Sequence, residues 1–190
     1  RSRDESEEYG VKNLGAIDLN AEIVLQHHSL IHILQQYDPE NAYIPELQEE
    51  LARIQSRVPY ILWDSDKKVF GDYDMAEDGG LKTYDTIASY FPLIFDNLRE
   101  NMAKEMRSAL KDPQKYNTKT PLPSVALDSP KFEKDMWRGP VWVNTSYLVV
   151  RGMEHQGWEQ MAGDFAYRLA KGIFETWKNE GHFYEFYDPE

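Results

Sequence analysis

Apolar positions recur at helical spacing along most of the chain. In "IDLNAEIVLQHHSLIHILQQY", residues 17–37, Leu19, Ile23, Leu30 and Leu34 fall near one face, with Asp18 placed to cap the start. "DPENAY" breaks this helix, with Pro39 as the stop. Pro45 suits the first turn of a second helix, in which Leu47, Leu51, Ile54, Val58 and Leu62 recur every three or four residues. Pro59 is expected to kink its last turn. "DSDKKVFGDYD", residues 64–74, reads as a turn and a short extended piece. "TIASYFPLIF", residues 86–95, is apolar and interrupted by Pro92, which predicts a short or bent helix. "DNLRENMAKEMRSALKD" predicts a helix capped by Asp96 or Asn97.

Residues 111–140 are proline-rich and lack a period, which predicts a long loop, and loops of that length are usually functional or disordered. A helix then runs from about Val141 to His155 and stops at Gly157. The last helix, about 159–179, carries Ala162, Phe165, Ala166, Leu169, Ile173 and Trp177 on one face and ends at Gly181. An extended aromatic strip, "HFYEFYD", follows, and residues 1–13 are charged and irregular. Helix pairs joined by loops, with strand only in connections, define an all-α fold of helical hairpins. No repeat of fixed period points to a solenoid.

Composition narrows the function. A net charge of −12 repels nucleic acid and anionic membranes. No stretch of the sequence is apolar for long enough to span a bilayer. The chain has no cysteine, which excludes disulfides, thiolate metal sites and cysteine nucleophiles. Aromatic residues make up 13%, enough for a packed core and for ligand platforms as well.

Two stretches hold the candidate chemistry. "MWRGPVWVNTSYLVV" sets Trp137, Arg138 and Trp142 at the entry of a helix, with Asn144 in its first turn. "GHFYEFYDPE" sets Glu185 among Phe183, Tyr184 and Tyr187, with Asp188 after them. A sugar presents C–H faces that pack on flat rings and hydroxyls that bond to amide, guanidinium and carboxylate groups. Gly139 would let backbone approach a ligand closely. A carboxylate among rings would be desolvated, and Arg138 is placed to hold it ionised. The competing reading makes these rings core and Glu185 an exposed edge residue. A helical interaction scaffold is a further alternative, and it would expose an apolar face on the 44–62 helix.

"WRGPVWVNTSYLVVRGMEHQG" and "ETWKNEGHFYEFYDPE" together resemble paired signatures of the (α/α)6-barrel glycosidases. The resemblance is strongest to glycoside hydrolase family 63, which includes α-glucosidases and mannosylglycerate or glucosylglycerate hydrolases, with the family 37 trehalases as relatives. "AIDLNAEIV" and "LWDSDKKVFGDYD" extend it over most of residues 10–190. It implies that residues 1–190 form part of one catalytic domain, a segment of an (α/α)6 toroid that is incomplete at both ends. It implies an inverting α-glycosidase that uses no cofactor and no metal, with Glu185 as general base. Trp137, Arg138, Gly139, Trp142, Asn144, Tyr184 and Tyr187 would bind the sugar. The expected partners are the sugar substrate and the remainder of the catalytic domain, with no nucleic acid and no membrane. A trehalase-like hydrolase and a non-catalytic carbohydrate-binding helical module are the alternatives.

The family's Gly-(Trp or Met)-Asp-Asn-Ser-Pro motif, which carries its general acid, is absent and is expected upstream of Arg1. Asp18, Asp72, Asp74 and Asp135 are the substitutes to weigh within the chain. The Asp64–Asp74 segment departs from a calcium loop at Lys68 and Val69, so a solvated turn is expected there. His28 and His32 lie four apart, but Ser29 stands where a zinc helix needs Glu, so packing or surface roles are expected. His182, beside the strip, is a candidate for substrate contact or for packing.

Overall fold

The computed structural model describes residues 13–76 and 79–190. The charged segment 1–13 lies almost wholly outside the described residues. The chain divides into two compact units, one ending at Tyr84 and the other beginning at Asp85.

The first unit is a helical hairpin with small strands. β1 (Leu14–Gly15) leads into α1 (Ile17–Tyr37), and α2 (Tyr43–Ile61) packs back on α1. At the joint, Asn41 Oδ1 accepts the Tyr43 N–H at 3.0 Å, which satisfies one of the free amides at the start of α2. On α2 the expected face is the buried one: Leu51 and Val58 are enclosed, as is Leu62 just past its end. Tyr43, Tyr60 and Ile61 of α2 are exposed, but the periodic apolar face that an interaction scaffold would present is the one turned inward.

α1 turns differently from expectation. Its buried residues are Ile17, Ala21, Val24 and Ile31, while Leu19 is 53% exposed and Ile23 and Leu30 are also open. The helix is apolar on more than one side, and the stripe that carries the small Ala21 is the one buried. Asp18 is not the cap either, because its Oδ1 accepts only the neighbouring Leu19 N–H. The Ile17 N–H is taken instead by Asp72 Oδ1 at 2.9 Å, from 55 residues away. Asp72 begins β4 (Asp72–Asp74), which pairs antiparallel with β1 and with β5 (Gly80–Lys82). A carboxylate there also meets the positive end of the helix.

The 64–74 segment is a turn with extended flanks, as expected. β2 (Trp63–Asp64) pairs with β3 (Val69–Phe70) in the register Trp63↔Phe70. Asp64 accepts the amides of Asp66 and Lys67 and the Thr83 hydroxyl, and these bonds lower its pKa.

The second unit is organised around α4 (Val143–His155), which packs on a 3-10 helix (Ile87–Ile94) and on α5 (Glu159–Glu180). The bent helix expected around Pro92 is this 3-10 helix. Gly152 of α4 faces Leu93 so closely that an added Cβ would stand 2.6 Å from the Leu93 Cβ. Gln156 Nε2 donates to the Leu93 and Phe95 carbonyls at 2.7 and 3.1 Å, closing the end of the 3-10 helix. α3 (Glu100–Lys111) starts later than expected, after Arg99 and without a side-chain cap from Asp96 or Asn97. Asp96 instead meets His155 Nε2 at 3.1 Å. α5 buries Met161, Ala162, Phe165 and Leu169, but Ala166 and Trp177 of the expected face are exposed. Gly181 ends it with φ 76°, a conformation open to glycine.

The proline-rich loop is ordered rather than loose. Tyr116, Leu122, Val125 and Ala126 are buried. Asp85 anchors it: Oδ1 accepts the hydroxyls of Tyr90 at 3.1 Å and Tyr116 at 2.7 Å, and Oδ2 meets Lys115 Nζ at 2.7 Å. The two rings meet edge to face at 4.7 Å. Burial, reinforced by nearby acidic groups, pushes both phenols well above their usual pKa. Burial opposes the Lys115 charge, but the hydrogen bond to and charge of Asp85 outweigh it and raise its pKa.

Two outcomes are expected. Gly152→Val should cost about 1–3 kcal/mol of stability, seen as a lower denaturant midpoint with an unchanged slope. The pH dependence follows from groups whose folded pKa is raised, Tyr90, Tyr116 and Lys115. Their stability is full below the unfolded values of 10.0 and 10.5 and is lost as pH rises beyond them. In an alkaline titration followed by tyrosinate absorbance, Tyr90 and Tyr116 should ionise only as the helical circular dichroism collapses.

Candidate active site

The two aromatic stretches meet. β6 (Val141–Trp142) pairs antiparallel with β7 (Phe186–Tyr187) in the register Val141↔Tyr187 and Trp142↔Phe186. This pairing is why α4 begins at Val143 rather than at Val141. The pleat sends alternate side chains to opposite sides. Val141 and Tyr187 are buried together with Leu169 of α5, and Ile173 packs against them. Trp142 and Phe186 lie together on the other side, with ring centroids 5.2 Å apart.

Trp137 completes a stack on Trp142, with centroids 3.6 Å apart and planes 8° from parallel. Trp142 is 4% exposed and Trp137 46%, so the outer ring carries the open surface. Trp142 Nε1 donates to the Met136 carbonyl at 2.9 Å, which fixes the indole in its plane. Glu185, one residue before Phe186, is carried by the register to the start of α4, and its side chain is exposed. Asn144 stands in the same first turn, also exposed, with its Oδ1 on the Thr145 N–H.

Four expectations change. Arg138 does not hold Glu185: its guanidinium bonds to Asp135 Oδ2 at 2.6 Å and Glu133 Oε2 at 3.0 Å, within its own turn. Glu185 is not enclosed by rings, because only Phe186 and Tyr187 of the strip turn inward. Tyr187 is a packing residue, and its hydroxyl accepts the Tyr184 N–H at 3.1 Å. Gly139 serves close packing of the chain on itself. It is buried, its N–H donates to Ser124 Oγ, and a Cβ would stand 2.8 Å from Phe132 Cε2. Tyr184 remains exposed and donates its hydroxyl to Glu180 at 2.7 Å, which raises its pKa.

The candidate substitute acids are occupied elsewhere. Asp18 lies in the first turn of α1 and Asp72 caps that helix. Asp74 is buried and accepts the Ala76 N–H. Asp135 is held in an ion pair with Arg138. Among the described residues, no group of three His, Asp or Glu side chains could hold a metal. His32 and His182 lie on the surface and His28 is half-buried.

Several residues that hold the site carried no signal in the sequence. Lys134 Nζ bonds to Asp188 Oδ2 at 3.1 Å and Glu190 Oε2 at 2.5 Å. The Thr120 N–H donates to the Pro189 carbonyl at 3.1 Å. Arg168 of α5 donates to the Thr118 carbonyl and to Asn117 Oδ1, both at 2.7 Å, and so ties the loop to the helix. Its i−4 partner Asp164 is visible in the sequence, but the loop contacts are not.

Residues 2–190 match the family described as the mannosylglycerate hydrolase MGH1-like glycoside hydrolase domain. A mannosylglycerate hydrolase of Thermus thermophilus is 27% identical over 180 residues, covering 91% of this chain and 40% of that protein. One of Rubrobacter radiotolerans is 29% identical over 133 residues, covering 67% of this chain and 28% of that protein. The crystal structure of a GH63 mannosylglycerate hydrolase from Thermus thermophilus in complex with Tris and D-glycerate superposes with a TM-score of 0.72. It is 26% identical, with 93% of this chain and 40% of that one covered. Neutral trehalase Nth1 from Saccharomyces cerevisiae, 18% identical with a TM-score of 0.74 over 93% of this chain and 34% of that one, shares the fold. The chain thus spans well under half the length of these relatives. Its helical hairpins are those of (α/α)6-barrel glycosidases. By the match over residues 2–190, the chain belongs to the mannosylglycerate hydrolase MGH1-like glycoside hydrolase domain family.

Proposed function

We propose that this chain forms part of the catalytic domain of an inverting α-glycosidase acting on α-mannosidic or α-glucosidic bonds, with Glu185 as general base. The observation that carries the reading is the β6–β7 pairing, which joins the ring-bearing segment to the carboxylate-bearing strip. Relatives named mannosylglycerate hydrolase make a small α-mannoside such as mannosylglycerate the first substrate to test.

The chemistry follows from the arrangement. A pyranose packs a C–H face on the open face of Trp137, while Asn144 and Tyr184 offer polar groups to its hydroxyls. Glu185 takes a proton from a water molecule, and that oxygen bonds to the anomeric carbon as the glycosidic bond breaks. A second carboxylic acid, on the far side of the bond, gives its proton to the leaving oxygen. Inversion needs about 6.5–9.5 Å between the two carboxyl groups so that the water fits between them.

In the intact protein, Glu185→Gln should lower kcat for mannosylglycerate hydrolysis by about 10²–10⁴-fold while leaving the unfolding midpoint unchanged. Turnover within a fewfold of the parent would remove Glu185 from the base role. Proton NMR taken early in the reaction should show the released mannose first as the β-anomer. An α-anomer first would mean a retaining mechanism. Binding of the disaccharide without turnover, by parent and variant alike, would favour a binding module.

A further inference from the structure

We propose that Lys134 is a latch: it fastens the turn that carries Trp137 to the strip that carries Glu185, and so positions the sugar platform. The inference rests on the hydrolase reading for its effect on substrate, but the latch itself rests on the structure alone.

The turn at 133–138 is closed on itself. The Glu133 N–H donates to the Arg138 carbonyl at 2.5 Å, and the Arg138 N–H donates to the Asp135 carbonyl at 3.0 Å. The Arg138 guanidinium bridges Glu133 and Asp135. Met136, at its tip, sits at φ 47°, a conformation that side-chain-bearing residues seldom adopt without support. Among the described residues, the Trp137–Trp142 stack with its Nε1 bond and Lys134 join this unit to its surroundings near the tip. Lys134 reaches Asp188 and Glu190, 54 and 56 residues on, on either side of Pro189.

The Asp188 carboxylate and the backbone after it are themselves held. The Glu190 N–H donates to Asp188 Oδ1 at 3.0 Å, and the Pro189 carbonyl accepts from Thr120. The ammonium therefore lands on one carboxylate that is already held, Asp188, and gathers Glu190 beside it. The β6–β7 pairing is only two residues per strand. Lys134 extends the same union beyond its end, on the side away from Glu185. An isolated exposed ion pair contributes little to stability. Here the ammonium is shared by two carboxylates and acts on the placement of one turn, so its effect should appear in ligand affinity and local motion.

The test uses Lys134→Met, which keeps the stem and removes the charge, with Lys134→Arg as the conservative variant. Hydrogen–deuterium exchange of the intact protein should show faster exchange in residues 132–138 and 186–190 for Lys134→Met, no change in α4 and α5, and recovery for Lys134→Arg. Unchanged exchange in those segments overturns the latch, and so does a uniform rise across the unit from Asp85 onward. With mannosylglycerate, KM should rise roughly three- to tenfold with kcat within about twofold. Added salt should raise the parent's KM towards the variant's. A fall in kcat at constant KM overturns the positioning role. If the parent shows no turnover, the hydrolase reading fails while the exchange result still decides the latch.

Discussion

A pairing of two residues with two residues governs this half of the chain. Val141 and Tyr187 turn inward onto Leu169 of α5, and their burial fixes which side of the hairpin faces the core. Because side chains alternate, Trp142 and Phe186 must then face the other way, where Trp137 stacks on Trp142. A slip of one residue would put the indole into the core and the tyrosine outside. The short ladder adds little by itself. Its register is held by the apolar contact beneath it, and the proposed base takes its place from that register.

The long loop makes this contact specific. Asp85 gathers Tyr90, Tyr116 and Lys115 around one carboxylate, so no buried hydroxyl in the group is left without an acceptor. Arg168 binds the loop at Asn117 and Thr118 while its guanidinium lies over the Phe165 ring at 4.7 Å. Two residues further on, the Thr120 amide donates to the Pro189 carbonyl. Prolines that deny the segment helical structure thus leave it free to run between α5 and the strip, where its backbone supplies hydrogen bonds that a helix would keep to itself.

The same logic explains why side chains singled out for a sugar pocket divide in two. Trp137, Asn144, Tyr184 and Glu185 keep open surface, whereas Trp142, Gly139 and Tyr187 are absorbed into packing. The buried set holds the exposed set in place. Gly139 illustrates the point: the backbone comes close there, but what approaches is the neighbouring turn.

Helical periodicity along the chain was sufficient to place α1, α2, α4 and α5, because spacing of apolar residues and the breaks at Pro39, Gly157 and Gly181 are local properties. The motif pair was legible too, since residue types at short spacing carry it. Which stripe of α1 is buried was not, because that helix offers two and only packing against the rest of its unit selects one. Nor was the cap of α1, where Asp72 acts from 55 residues away in place of the adjacent Asp18. The partners of Arg138, the role of Lys134 and the burial of Tyr187 likewise arise from contacts between distant segments. Local chemistry determined the elements and the reactive groups they carry. Only tertiary packing decided which faces met, because the free energy of burial belongs to pairs of surfaces and appears only when both are in place.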